Sequence, residues 1–141
     1  MVNSGIKNSP QCKKVFEQLQ KEHKWRYIVY KINMTSLLID PIIFGDKDAS
    51  YQQFLDDLNK SGCCYAVYDF VFHKPDGSKR EKIVFINWAP DDQPMKAKMY
   101  QSSTMTEMEK AVDGYYLKMQ ASDIGDIAEK DVAEQLNKMV K

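Results

Sequence analysis

Apolar positions in this chain fall into alternating helical and strand periods, and the switches between them outline its elements. Ser9 followed by Pro10 marks a helix start, with an oxygen acceptor at the cap and a preset φ in the first turn. Cys12, Val15, Phe16 and Leu19 then follow the i, i+3, i+4, i+7 spacing of one inward face. The segment WRYIVYKIN (Trp25–Asn33) is rich in aromatic and β-branched residues and predicts a strand. Residues 37–44 predict a second, in which Pro41 removes a ladder donor and argues for an edge position. Ser50 and Gln53 form a capping-box pair ahead of a helix that carries Tyr51, Phe54, Leu55 and Leu58 on one face, with Gly62 closing it.

Two runs follow that are apolar on both alternating faces: CCYAVYDFVF (63–72), interrupted only by Asp69, and IVFINW (83–88). Both are expected to be central strands, covered above and below. Pro75, Asp76 and Gly77 make the turn between them, so the two form a hairpin whose tip and return arm carry Lys74, Lys79, Arg80 and Lys82. Asp92 with Pro94 opens another helix, MKAKMYQSS, expected to be disturbed at Ser102 and Ser103 because serine hydroxyls compete for backbone partners. Thr104 and Glu107 restart it as a second capping box, Met108, Ala111 and Val112 face inward, and Gly114 ends the segment. Residues 115–120 predict a short strand. Residues 122–140 predict one docked terminal helix with Ile124, Ile127, Ala128, Val132, Leu136, Met139 and Val140 on a stripe. This order implies an α/β (α+β) class, a mixed sheet between helices on both faces.

A length of 141 residues fits one domain, 1–141, large enough to bury a core without disulfides or a structural metal. Twenty Lys and Arg balance 20 Asp and Glu, so no net field draws the chain to nucleic acid or an acidic membrane, and electrostatic recognition must come from local patches. No apolar run approaches the roughly 20 residues that span a bilayer, and MVNSGIKNSP lacks the apolar core of a signal peptide, so a cytoplasmic location is expected. Cys12, Cys63 and Cys64 are odd in number and the adjacent pair cannot readily bridge, which favours reduced thiols.

Catalytic chemistry finds little support. Cys64 and His73 lie on one strand at positions that the pleat points to opposite faces, and nothing ties His23 to a cysteine. The thiols are therefore expected to be inert core residues. The cysteines lack C-x-x-C spacing and the histidines are solitary, so no metal site is expected, and the glycines fall at turns and helix ends rather than in a phosphate-binding loop. Strand aromatics buried on both faces cannot stack on bases, which argues against a nucleic-acid partner. Two surface features remain, the cationic hairpin and the helix with Lys96 and Lys98, and for each a plain solvated face is the alternative.

The stretches YAVYDF, DGSKREKIVFINWAPDD, PMKAKMYQSS and MQASD, in this order and at this spacing, resemble the actin-depolymerising factor/cofilin family over essentially the whole chain. The resemblance implies a single actin-depolymerising-factor homology domain with a mixed five-stranded sheet between helices. It implies a cofactor-free, non-enzymatic monomer that binds monomeric ADP-actin and the sides of filamentous actin and promotes disassembly by depolymerisation and severing. A coactosin-like module that binds filaments without severing is the alternative within the same fold. A thiol-dependent enzyme and a lipid-surface module without an actin role are alternatives from other classes.

Carried onto this sequence, the resemblance implies a monomer-binding surface of Ser4 and Gly5, of Lys96, Lys98 and Met99, and of the turn 120–123 with Gln120 and Asp123. For Met99, core packing beside Met95 is the competing reading. The filament-side surface would comprise Lys79 and Arg80 with Glu134 and Lys138. Ser4 matches the family's regulatory serine, where phosphorylation would add up to about two negative charges to the monomer contact. Lys96 and Lys98 are the candidates for phosphoinositide headgroups. The sequence also departs from the family pattern. Gln135 replaces a further cation found in several members, residues 34–43 are unusually apolar, and the terminal-helix histidine through which some relatives sense pH is missing.

Overall fold

The computed structural model describes residues 5–140. Six strands, β1 (Lys7–Asn8), β2 (Trp25–Asn33), β3 (Leu38–Asp46), β4 (Cys64–His73), β5 (Lys79–Trp88) and β6 (Leu117–Ala121), form one sheet in the order β1-β3-β2-β4-β5-β6. The end strands run parallel to their neighbours, β1 to β3 and β6 to β5, and the four inner strands pair antiparallel. Helices α1 (Pro10–Glu22), α2 (Tyr51–Ser61), α3 (Met95–Ser103), α4 (Met105–Ala111) and α5 (Glu129–Met139) complete the chain, with a 3-10 turn at Ile124–Ile127.

Strand β4 divides the core, because its pleat sends alternate side chains to opposite sides. Ala66, Tyr68, Phe70 and Phe72 pack with Phe54 and Leu58 of α2 and with Val132 and Leu136 of α5. Tyr65 and Val67 pack with Phe16 and Leu19 of α1 and Met108 of α4. The mixed sheet between helical layers is thus as the pattern predicts, with β4 central and β5 interior, between β4 and β6.

The differences have local causes. The sheet has six strands rather than five: β1 is a two-residue pairing, held by Lys7 N–H on the Leu37 carbonyl and Ser9 N–H on that of Ile39, and two residues carry no readable period. Pro41 does stand on an open edge, since β1 covers only Leu38 and Ile39, and a register shift at Val29 and Tyr30 absorbs it. Strand β5 starts at Lys79, so the cationic segment is itself part of the ladder. Ser50 caps α2 by accepting from Gln53 N–H at 3.1 Å, whereas Ser9 makes no side-chain cap bond.

The capping box at Thr104 and Glu107 does not form. Thr104 has near-helical angles and makes no side-chain cap bond, while the Glu107 carboxylate accepts from the Asn8 N–H at 3.1 Å and so ties β1 to α4. The terminal helix is broken at Ala128, whose ψ of 137° is extended. Its stripe holds at Ile127, Val132, Leu136 and Val140, but Met139 is exposed.

Gly45 shows how tightly the α2 side is packed. It lies opposite Tyr27 in the β2-β3 ladder, and a Cβ there would fall well inside van der Waals contact of the Tyr27 ring. The ring cannot yield: it is fully buried, 5.0 Å from Phe54 and 5.9 Å from Tyr68 between centroids, and its hydroxyl donates to the Asp57 carboxylate at 2.5 Å. Gly45→Ala is therefore expected to cost at least about 1–3 kcal/mol, the usual range for overpacking, measured by urea unfolding. An unchanged midpoint would show that the sheet can shift to make room.

Candidate functional site

Strand registers separate the candidate residues into two groups at opposite ends of the sheet. Lys7 and Asn33 each lie opposite Leu38, Tyr30 opposite Tyr65, Cys64 opposite Trp88, and Trp88 opposite Ala121. One end therefore collects Gly5, the 34–37 turn, Cys63, the 89–94 loop that leads into α3, and the 122–123 turn. The other end collects His23, the 47–50 loop and the hairpin tip at 74–78. The nine residue steps of β5 between Lys79 and Trp88 put about 30 Å between these ends.

Helix α3 is fixed at the first end by a buried amide. Gln101 is 2% exposed, and its Nε2 donates to the Cys64 carbonyl, to Asn87 Oδ1 at 2.9 Å and to the Trp88 carbonyl at 3.2 Å. The Tyr65 hydroxyl donates back to the Gln101 carbonyl. With this face pinned, the opposite one is presented outward. Met95 and Met99, one turn apart, are 71% and 64% exposed, so Met99 lies outside the core and the core-packing alternative is excluded. Lys96 is exposed. Lys98 is half-buried, with its ammonium 3.4 Å from the Asp91 carbonyl. Between α3 and the end of β2 runs a cleft of about 400 Å³, walled by Ile32, Met34, Ala97 and Tyr100 and edged by Lys31 and Lys96.

The other monomer-side candidates share this end. Gly5 is exposed and adopts a φ of +75°, a conformation that glycine accepts without strain. Ser4 lies outside the described residues. Gln120 is exposed on β6 opposite Asn87, and Asp123 is exposed beside Asp91 and Asp92. The Asp123 carboxylate accepts from the Gly125 N–H at 2.7 Å and shapes the 3-10 turn.

At the far end the hairpin overhangs the sheet, since β6 first pairs at Val84. Lys79 and Arg80 do not act from one face. Arg80 pairs with Phe72 and points to the α5 side, as does Lys82, whose ammonium lies 4.6 Å from the Tyr116 ring centroid. Lys79 pairs with His73 on the other face, its ammonium 3.7 Å from Glu81. The end of α5 is drawn under the hairpin by Lys74, whose ammonium donates to the Val140 carbonyl, and by Tyr116, whose hydroxyl donates to that of Met139 at 3.1 Å. Glu134 and Lys138, four residues apart, are exposed on the outer side of α5.

Sequence patterning missed three features here. Gln101 gave no signal, because a glutamine in a lysine-rich helix reads as solvent-facing. The cleft wall at Met34 was visible only as unexplained apolarity. His23 is not solitary: its Nδ1 lies 2.9 Å from Asp69 Oδ2 and 3.3 Å from Glu81 Oε2. The thiols are buried and unpaired by disulfides, and burial pushes the Cys64 thiol up to about 12, which keeps it protonated.

Comparison with known proteins decides the family. The family model for cofilin/tropomyosin-type actin-binding proteins matches residues 5–137. The chain belongs to this family. It is 37% identical to actophorin of Acanthamoeba castellanii, covering 98% of this chain and 99% of that protein. It is also 37% identical to cofilin of Schizosaccharomyces pombe, covering 96% and 97%. Among solved structures, Streptomyces griseoflavus cofilin superposes with a TM-score of 0.86 at 30% identity over 95% of this chain and 98% of that one. Coactosin of Entamoeba histolytica superposes with a TM-score of 0.77 at 18% identity over 97% and 99%, a likeness of fold alone. Family membership thus agrees with the resemblance carried by the hairpin and α3 motifs.

Proposed function

We propose that this chain, as one domain over residues 1–141, binds actin monomers and the sides of actin filaments and promotes filament disassembly, acting in the cytoplasmic actin cytoskeleton without catalysing a covalent reaction. The observation that carries this reading is the placement of the candidate cations at opposite ends of one sheet, Lys96 and Lys98 at one and Lys79 and Arg80 at the other. Within a family of actin-binding proteins, two separated patches suit a protein that grips one subunit in solution and two neighbouring subunits in a filament. Gly5, Lys96, Lys98, Met99, Gln120 and Asp123 form the first patch. An exposed methionine beside lysines and an apolar cleft suits an apolar groove with acidic rims, because methionine adapts to irregular pockets. Arg80, Glu134 and Lys138 form the second on the α5 side of the hairpin, and Lys79 extends it onto the opposite face.

Ser4, next to Gly5, is assigned the regulatory phosphorylation, and Lys96 and Lys98 the phosphoinositide headgroups. Pelleting with filamentous actin alongside a disassembly time course tests the main reading: the chain should cosediment and should speed loss of polymer. Cosedimentation without faster disassembly would instead favour the coactosin-like alternative. The division of labour has its own test. Lys79→Ala with Arg80→Ala should weaken filament binding about tenfold, as expected when two solvent-screened charge contacts of somewhat under 1 kcal/mol each are lost, and should leave monomer affinity unchanged. Equal loss in both assays would merge the two patches into one.

A further inference from the structure

Beside the second patch, three side chains from three elements converge that neither proposed actin contact includes. His23 stands just past the end of α1, Asp69 on β4 and Glu81 on β5. Asp69 pairs with Ile83 and Glu81 with Val71, so both carboxylates point to the α1 face of the hairpin as diagonal neighbours. Their ligand atoms and His23 Nδ1 all lie within 4.8 Å of one another, and no other such trio occurs among the described residues.

From this geometry we propose a binding site for a divalent first-row cation of the Zn²⁺ class. A tetrahedral zinc with nitrogen and oxygen ligands at its usual bond lengths has ligand-to-ligand edges of about 3.3 Å. The Nδ1 to Glu81 separation of 3.3 Å matches that edge, and the 2.9 Å from Nδ1 to Asp69, a hydrogen bond while the imidazole holds its proton there, need open by only a few tenths of an ångström once that proton is given up. The set also has the asymmetry such a site needs. The Asp69 side chain is 5% exposed and is held in place by the sheet, while those of His23 and Glu81 are 47% and 36% exposed and leave an entry path and a fourth position for water. One imidazole with two carboxylates suits Zn²⁺ better than Ca²⁺ or Mg²⁺, which take oxygen ligands almost alone.

Two cations stand nearby and neither blocks the site. Arg26 is engaged on main-chain carbonyls, its Nε donating to Lys47 at 3.0 Å and Nη1 to Asp69 at 2.9 Å. Lys79 reaches the far oxygen of Glu81 from a largely exposed position and can swing away. A cation here would compete with Lys79 for Glu81, which places the site at the edge of the proposed filament contact while its existence is independent of that contact.

Titration of the full-length chain with Zn²⁺ alone tests the site, by calorimetry and by the imidazole resonances of its two histidines. Binding of one Zn²⁺ per chain, with the His23 resonances moving and those of His73 unchanged, is the expected result. His23→Asn keeps a residue that tolerates the left-handed φ of 53° found there, and Glu81→Gln changes an exposed strand position, so both variants should fold. Each should weaken binding at least tenfold. Absence of stoichiometric binding, binding unaffected by either variant, movement of His73 instead of His23, or equal affinity for Ca²⁺ or Mg²⁺ would each overturn the proposal.

Discussion

Gln101→Met should lower the melting temperature by about 10 °C and weaken monomer binding, although residue 101 is too deeply buried to touch a partner. Methionine fills nearly the same volume, so the loss isolates the amide from any cavity. Removing its N–H groups takes a hydrogen bond from Asn87 Oδ1, itself on a 3% exposed residue, and from the Cys64 and Trp88 carbonyls at the strand ends. Each buried polar group left without a partner costs about 1–3 kcal/mol. A total near 3 kcal/mol, at roughly 3–4 °C per kcal/mol for a chain of this length, gives the expected shift. The functional arm follows because the same bonds aim Lys96, Lys98 and Met99 outward. With the anchor gone, α3 must be ordered at the moment of binding. A variant that loses stability but keeps full monomer affinity would show that α3 is held by its apolar contacts alone, and that Gln101 serves the fold rather than the surface.

That anchor also marks where sequence reading stops. Periodicity found the elements whose burial is settled within themselves: the Cys12, Val15, Phe16 and Leu19 stripe and the Tyr51, Phe54, Leu55 and Leu58 stripe are buried as read. It failed where a distant segment decided the outcome. Glu107 reads as a local capping residue, but Asn8, 99 positions earlier, takes its carboxylate. Helix α3 has no apolar stripe to read, since its inward face is built on Gln101 and its outward face carries two methionines. The resemblance of KAKM to a family motif drew attention to that exposed face, whereas local physics could not orient it. The hairpin cations were legible as a surface feature. That Lys79 and Arg80 face opposite sides follows from the ladder extending to His73 and Lys79, and a strand start placed at residue 83 concealed it. His23, Asp69 and Glu81 were invisible because their proximity depends on where α1 ends relative to the overhanging hairpin.

Met99→Ala should weaken monomer binding by well over tenfold and the pair Lys96→Ala with Lys98→Ala by about tenfold at low salt, and they should do so through different rates. Met99 is the large apolar side chain that an actin groove would desolvate, and truncating a central contact of this kind costs about 2 kcal/mol or more, roughly thirtyfold in affinity. The loss should lie in the dissociation rate, because a packed apolar contact forms only after docking, and added salt should leave it unchanged. The lysines sit on the rim, one exposed and one half-buried, where charges act mainly on the encounter. Their removal should slow association about tenfold at low salt, and the gap between variant and parent should close as the Debye length falls from about 10 Å at 0.1 M salt to about 3 Å at 1 M. Neither change should move the melting temperature by more than about 2 °C, since surface substitutions of this type stay within about 0.5 kcal/mol. Stopped-flow association and dissociation with labelled monomeric actin separates the two. A lysine effect that persists at high salt would mean that these ammonium groups are desolvated in the complex, moving them from the rim to the centre of the contact.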